Sequence, residues 1–244
     1  MPEGPSMIIL KEKLKPFIGK RVLQASGYAK GFDAGLLMGK TLKAIRTWGK
    51  HTLLVFPKFA VRIHMGLFGS YHINEPVKKN AALHLEFNNG YVNFSIISAR
   101  LIEQPLDELY DWSADIMNDD FDNGQALNRL KAKPKVMICD ALLDQNIFAG
   151  SGNIIKNEAL FRARLHPKSI ISFIPDEKLK QLIKEVVSFS QDFLRWRKAN
   201  QLTKHLEAYE KDTCPRNLIP FHKTDTGKTK RHSYYCEKCQ ELFD

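Results

Sequence analysis

The chain has 244 residues, a 43% hydrophobic fraction and a formal net charge of +10 with a pI near 9.4. That length and apolar content support one large or two modest packed domains and exclude a wholly disordered chain. The basic surplus points to a polyanionic partner, with nucleic acid ahead of an acidic membrane surface. Residues 7–20 mix lysines with apolar residues, so no secretory leader is expected. No run has the apolar length of a membrane span. Together these predict a cytoplasmic protein. Of the four cysteines, Cys139 stands alone and the other three crowd the last 31 residues. In a reducing compartment such a cluster reads as a metal site.

The chain opens Met1-Pro2-Glu3-Gly4-Pro5. Removal of Met1 makes Pro2 a free secondary amine beside the carboxylate of Glu3. An α-amino group titrates near pH 8, so part of it is neutral and nucleophilic under physiological conditions. Attack on an aldehydic carbon gives an iminium, and an adjacent carboxyl can move the protons. The bland alternative is that Pro2 and Pro5 only stiffen a helix start.

Residues 5–18 are predicted as a helix, with Met7, Leu10, Leu14 and Phe17 on one face. Residues 21–104 carry strand-like runs: 52–56, 61–64, and the alternating Leu83-His84-Leu85-Glu86-Phe87. Asn88-Asn89-Gly90 and Tyr91-Val92-Asn93-Phe94 follow, a strong hairpin signal. This part is predicted to be a β-sandwich or flattened barrel. Residues 105–122 are rich in aspartate and are expected to bridge two domains. Helices are predicted over 125–130, from Pro134 to Leu143, after Gly152, and from Pro175 onward, where Leu179, Ile183, Val186 and Phe193 share a face. The tail from 206 is expected to hold a small hairpin around Gly227. The resulting expectation is a mixed α+β protein with domains at 1–106 and 123–205, an acidic linker at 107–122 and a terminal hairpin unit at 206–244.

A second chemistry-bearing stretch runs from Leu142-Leu143-Asp144-Gln145 to Gly150-Ser151-Gly152-Asn153-Ile154. A glycine turn opening a helix lets backbone N–H groups approach a phosphate, and Asn153 adds a side-chain amide. Helix–helix turns also use glycine for geometry alone, so this motif is weak by itself.

Five stretches in order resemble the formamidopyrimidine-DNA glycosylase/endonuclease VIII family. They are Pro2-Glu3-Gly4-Pro5, Trp48-Gly49-Lys50-His51, His64-Met65-Gly66-Leu67-Phe68-Gly69, the 142–154 stretch, and Arg231-His232-Ser233-Tyr234-Tyr235-Cys236-Glu237-Lys238-Cys239-Gln240. The resemblance implies an N-terminal β-sandwich with a helix, a helix-two-turns-helix domain and a zinc-finger-like β-hairpin. It implies a bifunctional DNA glycosylase/AP lyase of base-excision repair. Pro2 would attack C1′, Glu3 would handle protons and Lys50 would hold a flanking phosphate. Asn153 and Arg231 would grip phosphates around a flipped nucleotide, and Glu158 would pack near the N-terminus. Leu67 and Phe68, expected on a turn between strands, would fill the hole a flipped base leaves.

The chain departs from the family pattern in places. Ser6 stands where the family usually has glutamate, and Ser98-Ala99-Arg100-Leu101 replaces the Asp-x-Arg-Arg-Phe-Gly motif. The stretch 193–206 lacks a longer glycine-rich loop. Pro2-Glu3-Gly4-Pro5 and Leu67-Phe68 look closer to endonuclease VIII, and Ile138-Cys139-Asp140-Ala141-Leu142-Leu143-Asp144-Gln145 is similar to vertebrate endonuclease VIII-like glycosylases, so the resemblance implies oxidised pyrimidines and ring-opened bases. The first cysteine pair reads Cys214-Pro215-Arg216-Asn217, so one zinc ligand is missing. His222 is the expected fourth ligand beside Cys214, Cys236 and Cys239, with His232 a weaker candidate. Structural zinc, no organic cofactor, double-stranded damaged DNA, no membrane, a monomer and a nucleoid-associated cytoplasmic location are the further expectations. A non-catalytic damage- or junction-binding protein of the same fold is the alternative.

Overall fold

The computed structural model describes residues 2–77 and 80–244. It divides into two compact units, Met1–Asp111 and Trp112–Asp244. Among the described residues, no helix is long and apolar enough to cross a membrane.

The first unit opens with α1 (Gly4–Leu14), whose N-cap Glu3 is extended and is followed by Pro5 in the first turn. Proline suits that place because its missing N–H has no helical partner there. Six strands follow: β1 (Gln24–Ser26), β2 (Ala44–Trp48), β3 (His51–Val55), β4 (Ala60–Ile73), β5 (Leu83–Phe87) and β6 (Gly90–Ile102). They form one antiparallel ladder in the order β1-β5-β6-β4-β3-β2. The long strands β4 and β6 pair over 60–65 and again over 70–73, with a register break between Met65 and Ser70. A bulge increases bend and twist. It carries these two strands from one layer of the β-sandwich to the other. Ile45, Leu54, Val61 and Ile63 from one layer share a core with Leu83, Leu85, Val92 and Phe94 from the other. Met7, Leu10, Leu14 and Phe17 of the predicted helical face join that core. The short helix α2 (Leu106–Leu109) closes the unit.

The second unit contains α3 (Asn123–Lys131), α4 (Ile138–Ala141), α5 (Asn153–Arg162), α6 (Asp176–Lys198) and α7 (Leu202–His205). A hairpin of β7 (His222–Thr226) and β8 (Arg231–Tyr235) follows. Asp122 caps α3 by accepting from the N–H groups of Gly124 and Gln125. The helix expected from Pro134 to Leu143 is corrected to the single turn 138–141. The Val136 N–H closes a turn on the Lys133 carbonyl, the Pro134 and Val136 carbonyls accept from Ser172 and Ile171, and Met137 bridges to Ile170, so residues 134–137 form a turn and a bridge instead of helix. One face of α6 presents Leu179, Ile183, Val186 and Phe193 to the core.

Candidate functional site

In the first unit, α1 packs on β2 and β3. The Thr52 hydroxyl donates to Met7 Sδ at 3.6 Å, which lays the first turn of α1 over the start of β3. Lys50 stands two residues before Thr52, in the two-residue turn joining β2 to β3. Gly49 opens that turn at φ +54, a conformation that favours glycine at the first turn position. Pro2 is half-buried and Glu3 is buried. The helix that follows the proline–glutamate pair thus packs on the two strands that the Lys50 turn joins.

Beside Lys50, Trp48, His51, His64 and Tyr110 form an aromatic cluster. Ring centroids are 5.1 Å apart for Trp48–Tyr110 and 5.3 Å for His51–His64. Trp48 Nε1 donates to the Asp111 carbonyl at 2.9 Å. Burial, then the neighbouring Arg62, His64 and Lys50, push His51 down to about 3. His64 is also lowered, mainly by burial, although a hydrogen bond to the Lys50 backbone works against this. Both imidazoles are thus neutral next to the lysine, and their Nδ1 atoms have no hydrogen-bond partner among the described residues.

Leu67 and Phe68 are not on a turn between strands, as the flanking glycines implied. They lie inside β4, in the bulge where Gly66–Gly69 face the single residue Ile96 of β6. Leu67 is 53%, Phe68 75% and Ile96 59% exposed. Ile96 has φ +53, and a Cβ on Gly69 would come within 2.9 Å of the Ile96 carbonyl. The apolar tip thus has three members, and Ile96 carried no signal in the sequence beyond being apolar.

In the second unit, α5 is buried over residues 153–161, including Asn153, Lys156, Asn157 and Glu158. Buried polar groups must be hydrogen-bonded, and here the hairpin and the 207–209 segment supply partners. Asn153 donates to the His232 carbonyl at 3.1 Å. Asn157 donates to the same carbonyl at 3.2 Å and accepts from the Tyr234 N–H at 2.9 Å. Asn153 and Arg231 are thereby brought to one place, with Arg231 exposed one residue ahead of the shared carbonyl. Gln145 staples the glycine turn before α5, donating to the carbonyls of Leu143 and Ser151 and accepting from the Gly150 N–H. Glu158 accepts from the N–H groups of Glu207, Ala208 and Tyr209 at 2.7–3.0 Å. Burial raises its pKa even against those three bonds.

The sulfurs of Cys214, Cys236 and Cys239 lie within 4.8 Å of one another. His222 does not join them, which corrects the expected ligand set. Its ring stacks on Tyr235 with centroids 5.3 Å apart, and Nε2 lies 3.6 Å from the Glu237 carboxylate. As the first residue of β7 it is paired across the ladder with Tyr235 and is held outside the cysteine cluster. His232, the weaker candidate, pairs with Asp225. Asn217 approaches the cluster instead, donating from Nδ2 to Cys236 Sγ at 3.3 Å. Zinc is bound by four N, S or O ligands in a tetrahedron. The three thiols fit three of those positions. Cys139 lies elsewhere, buried on α4, with its thiol pushed up by burial.

The model of the formamidopyrimidine-DNA glycosylase H2TH domain matches residues 113–203. Endonuclease 8-like 3 of Xenopus laevis is 31% identical over 222 residues, covering 86% of this chain and 36% of that protein. Endonuclease 8-like 2 of Mus musculus is 33% identical over 195 residues, covering 74% of this chain and 57% of the relative. The chain therefore spans between about a third and three-fifths of the length of these relatives. The crystal structure of a viral DNA glycosylase matches with a TM-score of 0.85 at 20% identity, over 98% of this chain and all of that one. Lactococcus lactis formamidopyrimidine DNA glycosylase, non-covalently bound to DNA containing an AP site, matches with a TM-score of 0.87 at 23% identity, over 98% and 99% of the two chains. At such identities the structural likeness establishes the fold. The chain belongs to the formamidopyrimidine-DNA glycosylase/endonuclease VIII family.

Proposed function

We propose that this protein is a bifunctional DNA glycosylase/AP lyase that removes oxidised bases, pyrimidines favoured, from double-stranded DNA. The observation that carries this reading is the buried Glu3 beside a half-buried Pro2, at the start of the helix that packs on the two strands joined by the Lys50 turn. The family's named DNA glycosylases support it, as does the net charge of +10. The Pro2 nitrogen attacks C1′ of the damaged nucleotide. The glycosidic C–N bond breaks, and its electron pair leaves with the base, which takes up a proton. Glu3 protonates the ring oxygen, the sugar opens and the Pro2 iminium forms. That cation accepts the electron pair released when a C2′ proton leaves, and the 3′ phosphate is expelled. A second elimination expels the 5′ phosphate, and hydrolysis frees Pro2.

The target base must leave the duplex, which costs a few kcal/mol that damage reduces. Lys50, Asn153 and Arg231 hold the flanking phosphates, and Leu67 and Phe68 fill the vacated stack. Glu158 braces α5 against residues 207–209. Cys214, Cys236 and Cys239 would hold a zinc ion, which supplies a structural cross-link for the hairpin. The protein acts as a monomer in the cytoplasm, in association with the nucleoid.

Borohydride trapping on an abasic duplex tests the reading, using protein whose mass shows that it starts at Pro2. A covalent adduct with the wild type that is absent from Pro2→Ala is the expected result. Failure of the wild type to form one refutes the lyase assignment.

A further inference from the structure

Lys156 is fully buried at the centre of the second unit. Its Nζ donates to the His232 carbonyl at 3.0 Å and to Ser233 Oγ at 3.0 Å, and lies 3.5 Å from the Arg231 carbonyl. Ser233 Oγ in turn contacts Thr226 Oγ1 on the opposite strand of the hairpin. Residues 153, 156 and 157 have the i, i+3, i+4 spacing that places side chains on one face of a helix. All three side chains converge on a single oxygen, the His232 carbonyl. The free edge of β8 is thus paired with one face of α5 where a sheet would offer another strand. Moving an ammonium out of water is costly, so its place here must be sustained by what it holds.

We propose that Lys156 is a positioning residue for the phosphate clamp formed by Asn153 and Arg231. It shares an acceptor with Asn153, and it holds the two successive carbonyls of Arg231 and His232. It therefore fixes the backbone that aims Arg231 relative to the first turn of α5. Its charge, unable to reach solvent, also adds to the positive potential at that turn. The inference rests on the proposed function, because it takes Asn153 and Arg231 to bind phosphate.

The test is a double-mutant cycle on the full chain. The variants are Lys156→Met, Arg231→Ala and the pair, and the probe is a duplex carrying a tetrahydrofuran abasic analogue. Binding is read by fluorescence anisotropy, and strand cleavage is read in single turnover on a true abasic duplex at saturating protein. Lys156→Met should weaken binding about tenfold, and adding it to Arg231→Ala should cost almost nothing more. The cleavage rate at saturation should stay within about threefold of the wild type, and Lys156→Arg should recover part of the affinity. A lower melting temperature with unchanged affinity overturns the proposal, as do losses that simply multiply. If Lys156→Met does not fold, Lys156→Gln and Ser233→Ala carry the same cycle. A wild type that does not bind, or an Arg231→Ala variant that binds as well as the wild type, instead overturns the proposed function.

Discussion

The Asp140 carboxylate, in the single turn α4, caps the tip of a hairpin that begins more than 80 residues later. It accepts from the N–H of Lys228 at 2.8 Å and from the N–H of Thr229 at 3.2 Å. The Thr229 hydroxyl adds a third bond at 3.1 Å. Gly227 makes this approach possible. It has φ +68, and a Cβ there would stand 2.4 Å from both Asp140 oxygens. Gly227→Ala is therefore expected to destabilise the second unit by about 1–2 kcal/mol from the left-handed backbone alone, with the clash added. Asp140→Ala removes both the cap and the clash. Thermal denaturation of the single and double variants should give a double variant less destabilised than the sum. Strict additivity would show that the Asp140 contact does not constrain the loop.

His51 gives the first unit a pH dependence of known sign. Its folded pKa is pushed from 6.5 to about 3, chiefly by burial and then by Arg62. The unfolded chain thus binds the extra proton first as pH falls below 6.5. The stability held by neutral His51 is complete above pH 6.5 and declines toward pH 3, by up to about 1.4 kcal/mol per pH unit for one such group. Denaturant melts of the wild type at pH 7.5 and 5 should show that decline. His51→Gln should flatten it, and an unchanged slope in the variant would place the proton uptake elsewhere.

Zinc release distinguishes the observed cluster from the one expected of His222. If three thiols and one weak position hold the ion, Asn217→Cys completes a four-sulfur tetrahedron and should slow zinc loss to a chromogenic chelator by about tenfold or more. His222→Ala should retain the wild-type zinc content, and Cys236→Ser should lose it. Loss of zinc in His222→Ala would restore the histidine as a ligand.

Local rules carried much of the fold. Leu83–Phe87 and its Asn-Asn-Gly turn became β5, a tight turn and β6, because alternation and turn chemistry act over a few residues. The apolar spacing on α1 and α6 likewise reached the cores it implied. Pro2 and Glu3 were legible from the chemistry of a free N-terminal amine beside a carboxylate, whereas Lys50 and Arg231 came from motif resemblance. What escaped notice depends on side-chain direction and long-range partners. His222 has a ligand's chemistry and a plausible spacing, but strand pairing commits it to Tyr235. Lys156 drew no expectation from the sequence, because its burial depends on the packing of β8 on α5. Residues 134–137 were expected to open a helix, yet a turn on the Lys133 carbonyl and hydrogen bonds with residues 170–172 keep them out of one.

The bulge tip offers a test that separates filling a hole from binding DNA. Phe68 is the most exposed of the three apolar residues there, and no folded-state packing accounts for a ring 75% open to water. An apolar wedge replaces stacking only where a partner strand surrounds the flipped base. Phe68→Ala should therefore slow excision of an oxidised pyrimidine from duplex DNA by about tenfold, within the few kcal/mol that unstacking costs. The same lesion in single-stranded DNA should be excised at close to the wild-type rate, because no duplex has to be held open. Ile96→Ala should follow the same pattern with a smaller effect, since Ile96 is the less exposed of the two. Equal losses on both substrates would assign Phe68 to general DNA contact instead of the wedge.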